Sequence, residues 1–159
     1  WTYGSSPVLD SGKLYIQVLQ RNETFEFQGF AKGTPGKDEG LVREVARALQ
    51  NYRGKVAIMS FDHWLIRDFR RDAPGIPAGL TAWGDKDHEI EAHFSMLAHG
   101  INFVSYSVAH LPNRFVSFVR DRLAMPVITW TVRDEAAVQA TVANADQMTF
   151  EGFRPSALS

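Results

Sequence analysis

Residues 55–61, Lys55-Val56-Ala57-Ile58-Met59-Ser60-Phe61, form a short and nearly continuous apolar run. Such a run is typical of a strand that is buried on both faces, as strands of a parallel sheet are. A helical pattern of apolar residues precedes the run from Asp38, and another follows it from His63 to Ala73. A buried strand between two amphipathic helices predicts an α/β fold.

The same alternation of strand and helix continues to residue 150. Further strands are predicted at 78–83, 102–108, 126–132 and 147–150, and helices at 87–99, 112–123 and 134–144. This order predicts parallel strands joined by right-handed crossovers, either in a doubly wound sheet or in an arc of a (β/α) barrel. A complete eight-stranded barrel needs about 200–250 residues, and the chain has 159.

The first 38 residues have a different pattern. Two apolar segments, 7–9 and 14–19, flank the turn Asp10-Ser11-Gly12-Lys13, which predicts a β-hairpin. Residues 24–30 alternate as a half-buried strand does, and 32–37 are rich in glycine and proline. We therefore divide the chain into an N-terminal β-hairpin segment over 1–38, which a fusion would explain, and an α/β domain over 39–159.

The composition excludes several classes of protein. Seventeen basic and eighteen acidic residues leave a net charge of −1, so the charge favours neither nucleic acid nor an anionic membrane as a partner. The chain has no cysteine, which excludes disulfides, thiolate metal sites and cysteine nucleophiles. No apolar run reaches the roughly 18 residues that span a bilayer, and the N-terminus is not a signal peptide. A cytoplasmic location agrees with these features.

Polar residues cluster where the predicted strands end, which is where (β/α) folds carry their functional groups. Acidic and imidazole side chains on neighbouring loops predict a site for a divalent metal ion that activates water or clamps a phosphoryl oxygen. Its candidate ligands are Asp62, Asp85, Asp87 and His93, and the candidate catalytic residues are His63 and His88.

Simpler explanations exist for several of the residues at the strand ends. Asp62, Asp87 and Asp134 each precede a helix, so N-capping accounts for them and is the favoured interpretation. Glu89 and His93 are four residues apart, as on the solvated face of a helix. Trp83 and Trp130 fit the wall of a substrate pocket and fit core packing equally well.

Two motifs resemble the C-terminal part of the glycerophosphodiester phosphodiesterase family. They are Met59-Ser60-Phe61-Asp62, followed by a helix and the loop Ala73-Pro74-Gly75-Ile76-Pro77, and Thr129-Trp130-Thr131-Val132-Arg133. The turn Ala145-Asp146-Gln147 and residues 149–155 extend the resemblance, which covers about 39–155. It implies a (β/α) barrel hydrolase that uses a divalent metal, with Trp130 in the substrate pocket.

The chain also departs from that family. The His-Arg-Gly, Glu-Asn-Thr, Glu-x-Asp and His-Asp motifs of the family do not occur, and Gln17 stands where a metal-binding glutamate is needed. Residues 1–15 instead resemble a blade of a quinoprotein-type β-propeller, and one blade cannot bury its faces alone.

We therefore expect an α/β fold, a partial (β/α) barrel of about five parallel strand–helix units with an N-terminal β-hairpin appendage. The predicted function is metal-dependent hydrolysis of a small phosphoester, such as a phosphodiester, with Trp83, Trp130 and Arg133 binding the substrate. The alternative is a catalytically inactive remnant or scaffold. Unpaired strand edges of a partial barrel further predict a homodimer whose subunits share the site.

Overall fold

The computed structural model describes residues 8–10, 13–17 and 39–155. The strands are β1 (Val8–Asp10), β2 (Lys13–Gln17), β3 (Lys55–Ser60), β4 (Ala78–Ala82), β5 (Phe103–Ser107), β6 (Val127–Val132) and β7 (Gln147–Phe150). The α-helices are α1 (Glu39–Leu49), α2 (His63–Asp72), α3 (Asp87–Met96), α4 (Arg114–Asp121) and α5 (Glu135–Asn144). Short 3₁₀ turns cover Leu97–His99 and Val108–His110.

These elements form two compact units. The first contains the described residues up to 81 together with 96–102, and the second contains 82–95 and 103–155. In both units, strands that follow each other along the chain with a helix between them pair in parallel. The predicted α/β class is therefore confirmed, with the five strands β3 to β7 separated by helices.

In the first unit, the predicted hairpin is confirmed. β1 pairs antiparallel with β2, with Val8 opposite Tyr15. β2 then pairs in parallel with β3, so the hairpin extends the same sheet as β3 and β4. The strand predicted at 24–30 and the loop at 32–37 lie outside the described residues, and the domain boundary after residue 38 stays a prediction.

The core of the first unit lies between α2 and the sheet. Ile66 and Phe69 of α2 are buried, as are Ile58 of β3 and Leu80 of β4. α2 begins at His63 because Asp62 accepts hydrogen bonds from two backbone N–H groups of its first turn. This places Asp62 and His63 directly after the carboxyl end of β3.

The second unit contains a parallel sheet of β5, β6 and β7, with Val104 opposite Val127 and Ile128 opposite Gln147. Tyr106, Phe115 and Val138 are fully buried between this sheet and its helices. α4 begins at Arg114, two residues later than predicted. The cause is that Asn113 is extended and its Oδ1 accepts from the N–H of Val116 at 2.9 Å.

No helix in the described ranges is both long and apolar enough to cross a membrane.

The cap of α5 gives a stability test. Asp134 Oδ1 accepts from the N–H of Ala137 at 2.8 Å, so Asp134→Ala removes this bond and lowers the free energy of unfolding by about 1 kcal/mol. Urea denaturation of the full chain measures the change. Asp134→Asn is the control, because asparagine caps nearly as well; an equal loss in both variants would contradict the capping role.

Candidate functional site

Of the nine residues predicted for the site, Asp62 and His63 lie in the first unit and the other seven in the second. Asp62 is buried, and its Oδ1 accepts from the N–H of Trp64 at 2.8 Å and of Leu65 at 3.3 Å. Its own N–H donates to Ser60 Oγ at 3.0 Å. The capping interpretation of Asp62 is therefore confirmed.

His63 lies against a second histidine, His99, which the sequence places only at a helix end before Gly100. His63 Nδ1 is 3.4 Å from His99 Nε2, and the ring of His99 packs edge-on against both His63 and Trp64. Burial, followed by the nearby His99 and Arg67, lowers the pKa of His63 to about 4. His63 is therefore neutral at pH 7.

Several charged side chains lie near this histidine pair. The Arg67 guanidinium carbon lies 4.6 Å from the centre of the Trp64 ring, and Arg67 Nη2 is 2.9 Å from Asp68 Oδ1. Asp68 is buried and also pairs with Arg71 at 3.4 Å. Burial and Arg67 lower the pKa of His99, although the carboxylates of Asp62 and Asp68 act in the opposite direction.

In the second unit, the loop after β4 carries Trp83 and Asp85 and is held at Gly84. The Tyr106 hydroxyl donates to the carbonyl oxygen of Gly84 at 2.6 Å. Gly84 has φ of +106°, a backbone conformation that favours glycine over any residue with a side chain. Glu89 also accepts from the N–H of Lys86 at 3.1 Å, as in a capping box.

His93 is buried beneath this loop, with 4% of its surface exposed. Its Nδ1 lies 3.3 Å from the Tyr106 hydroxyl oxygen, and its ring packs against Tyr106 and Phe115. Burial lowers the pKa of His93 to about 4, although Glu89 acts to raise it. Burial also raises the pKa of Tyr106, so its hydroxyl stays protonated and keeps donating to Gly84.

Asp85, Asp87 and His88 are exposed at the start of α3. Asp87 Oδ1 lies 3.3 Å from Arg114 Nη2 in an exposed ion pair. Within the described ranges, no group of three or more histidine, aspartate or glutamate side chains could hold a metal ion. These residues therefore do not fit a metal centre of the kind that the sequence predicts, and the assignment of Asp62, Asp85, Asp87 and His93 as ligands stays a prediction.

The carboxyl end of β6 carries the predicted substrate-binding residues Trp130 and Arg133. Trp130 is half-buried, and its Nε1 donates to the carbonyl oxygen of Ser105 at 3.0 Å. Arg133 Nε and Nη2 donate to Glu151 Oε1 at 2.7 and 2.6 Å. Both side chains of this ion pair are exposed, so the pair is worth only about 0–1 kcal/mol and an anionic ligand can replace the carboxylate.

Sequence reasoning missed His99, Tyr106 and Glu151. Glu151 follows directly after β7, so the rule that selected the other strand ends would have found it. His99 and Tyr106 carry no comparable signal, because their roles depend on His63 and Gly84, which lie 36 and 22 residues away in the chain.

The fold is similar to that of solved phosphodiesterases. A glycerophosphodiester phosphodiesterase from Parabacteroides distasonis superposes with a TM-score of 0.63 at 16% identity, over 87% of this chain and 53% of its own. An Oleispira antarctica phosphodiesterase, solved in complex with the product sn-glycerol-3-phosphate, has a TM-score of 0.52 at 18% identity, over 70% of this chain and 47% of its own. No protein-family profile and no curated protein matches the sequence.

These similarities show the fold: the chain has the α/β architecture of part of a (β/α) barrel, as predicted. It spans about half the length of the solved proteins it matches. The similarity agrees with the sequence resemblance over 39–155. The resemblance of residues 1–15 to a propeller blade stays a prediction, and most of those residues lie outside the described ranges.

The buried His93 makes stability depend on pH. Its pKa is about 4 in the folded chain and 6.5 when unfolded, so the unfolded state takes up a proton first as the pH falls. We expect the free energy of unfolding to drop as pH decreases from about 6.5 towards 4, by up to about 3 kcal/mol from this residue. The pKa of the half-buried His63 is also lowered in the folded chain, so its protonation adds a further, smaller decrease in the free energy of unfolding.

Urea denaturation between pH 7 and pH 4 measures this dependence. His93→Gln removes the titrating ring and flattens the profile, whereas His88→Gln, at an exposed position, serves as the control and leaves it unchanged. A profile that is equally steep in the His93 variant would show that other groups cause the loss of stability.

Proposed function

We propose that this chain takes part in the hydrolysis of phosphodiesters or related small phosphoesters. The observation that carries the proposal is the likeness of its fold to solved phosphodiesterases, one of them described with sn-glycerol-3-phosphate as its product. In (β/α) folds the reaction takes place at the carboxyl ends of the strands. The carboxyl end of β6 has side chains suited to a phosphoester.

Arg133 is the proposed phosphate-binding group. Its guanidinium presents two adjacent N–H donors, Nε and Nη2, and both already hold one carboxylate oxygen of Glu151. The same donors fit two oxygens of a phosphate, which binds arginine more strongly than a single carboxylate oxygen does. Glu151 is therefore a competitor that a substrate displaces.

Trp130 is the proposed contact for the rest of the substrate. It is three residues before Arg133, and the hydrogen bond from its Nε1 to Ser105 fixes one end of the indole. A fixed aromatic ring offers apolar surface to an ester group without further loss of conformational freedom. Trp83, half-buried at the end of β4 and next to the anchored Gly84, has the same proposed role.

Proton transfer belongs to the same proposal. Hydrolysis adds water to phosphorus and breaks the P–O bond of the ester, so one group takes a proton from water and another supplies one to the leaving oxygen. His88, exposed on the first turn of α3, is the proposed proton-transfer group of the second unit. His63, with a pKa of about 4, is neutral at pH 7 but only a weak base there, and its catalytic role stays a prediction for the first unit.

The proposal includes dependence on a divalent metal ion. No group of three candidate ligands meets within the described ranges, so the predicted ligands Asp62, Asp85, Asp87 and His93 would need further ligands from a second copy of the chain. The same observation favours the alternative function, an inactive scaffold.

Activity assays separate these functions. We expect turnover of bis(p-nitrophenyl) phosphate that a chelator abolishes and a divalent ion restores. A hydrogen bond to a charged group contributes about 1.5–3 kcal/mol, so Arg133→Ala should raise KM about tenfold or more. Arg114→Ala, which removes an exposed arginine that pairs with Asp87, is the matched control.

The outcomes are distinct. No turnover above background at any metal concentration would support the scaffold instead. Turnover that resists the chelator would overturn metal dependence alone, and an unchanged KM in Arg133→Ala would remove Arg133 from the site.

A second copy of this chain is the proposed partner. β7 is the last strand of its sheet, and its outer edge has no strand partner in the described part of the chain. An unpaired strand edge exposes backbone N–H and C=O groups that another strand can bind. Phe150, at the end of β7, is 46% exposed and adds apolar surface there. Twofold pairing of the two β7 edges would cover both.

Light scattering at micromolar concentration tests the dimer. We expect twice the chain mass of 17.9 kDa, and the monomer mass for Phe150→Lys, since a charge on an edge strand opposes pairing. Leu123→Lys changes an equally exposed residue outside β7 and should leave the dimer intact. A wild-type mass of 17.9 kDa that does not rise with concentration would contradict the dimer and the shared site.

A further inference from the structure

His63 and His99 form a pair of imidazoles that the proposed reaction does not explain. His63 is the first residue of α2, and His99 is the last residue of the 3₁₀ turn that follows α3. Their facing nitrogens, Nδ1 of His63 and Nε2 of His99, lie 3.4 Å apart. Each of these nitrogens has the other as its polar contact, and among the described residues neither is bound to a carboxylate or a backbone group.

The separation of these nitrogens matches that of two ligands on one metal ion. Zinc binds imidazole nitrogen at about 2.0–2.1 Å in tetrahedral geometry, which places two ligand nitrogens about 3.3–3.4 Å apart. The two rings meet edge to face, with their planes at 80°. Imidazole nitrogen is a preferred ligand of zinc, copper and nickel, whereas magnesium and calcium prefer oxygen.

The surroundings of the pair suit a partly open site. Both rings are half-buried, so solvent molecules can complete the coordination, and the Trp64 ring covers one side of His99. Asp62 and Asp68 favour positive charge at His99. Arg67 opposes it, but its guanidinium is engaged with Asp68.

From this geometry we infer that His63 and His99 bind a borderline divalent transition metal ion, with zinc as the best fit, through Nδ1 and Nε2 respectively. The ion replaces the N–H···N hydrogen bond between the rings, and the proton of His99 then resides on its Nδ1. That atom is buried without a partner in the described part of the chain. Histidine ligands usually donate this proton to an acceptor, so the site binds zinc more weakly than a four-ligand structural site does.

Isothermal titration of the full chain with zinc chloride at pH 7.5, in a buffer that does not chelate, tests the site. We expect one zinc ion per chain, and binding at least about tenfold weaker in His63→Ala and in His99→Ala, since each variant loses one of two ligands. His88→Ala, which removes an exposed histidine on α3, is the matched control and should bind as the wild type does. Magnesium chloride should give no heat at this site.

Two further measurements keep the result interpretable. Zinc should raise the Tm of the wild type and of the His88 variant but not of the others, because it binds the folded state. Where an alanine variant does not fold, His63→Gln and His99→Gln fill the same space without supplying the same nitrogen ligand. Electron paramagnetic resonance of the copper(II)-loaded chain should show two coupled nitrogens.

Absence of zinc binding to the wild type would overturn the inference, as would binding that survives both histidine substitutions. Neither result depends on phosphoester turnover, so the test of this zinc site is independent of the test of the proposed function.

Discussion

Burial of the strands on both faces is the constraint on which the rest of this structure depends. All residues of β4 and β5 are buried, and so are the last four of β3. A strand without a solvated face needs apolar cover on both sides and a connection long enough to return to the same end of the sheet, which here is a helix. Asp62, Trp83 and Arg133 follow directly or closely after the ends of β3, β4 and β6.

The same burial sets the chemistry of the histidines. His63 and His93 are both held in the neutral form, chiefly because burial desolvates their rings, and at His63 the nearby His99 and Arg67 act in the same direction. Glu89 favours the charged form of His93, yet the pKa of that ring still falls to about 4. A neutral ring explains how His93 packs beside Tyr106 and Phe115, and a neutral His63 can approach His99 without charge repulsion.

The two parts of the proposed site, phosphoester binding and metal binding, differ in how many of the necessary side chains the described residues bring together. Arg133 and Trp130, the proposed phosphoester-binding residues, are both held by hydrogen bonds at the carboxyl end of β6. A hard divalent ion needs several oxygen ligands at one point, and the described residues do not bring such a set together. This contrast agrees with a chain that spans about half the length of the solved phosphodiesterases it resembles in fold.

Local patterns in the sequence determined the α/β order, the hairpin, and the capping roles of Asp62 and Asp134, because apolar periodicity and a cap depend on residues only a few positions apart. They also placed the candidate residues at the strand ends. Only the tertiary structure decided which side chains meet. Tyr106 holds Gly84 across 22 residues, and His99 reaches His63 across 36. Contacts of that range depend on how helices pack on a sheet, and no spacing along the chain encodes them.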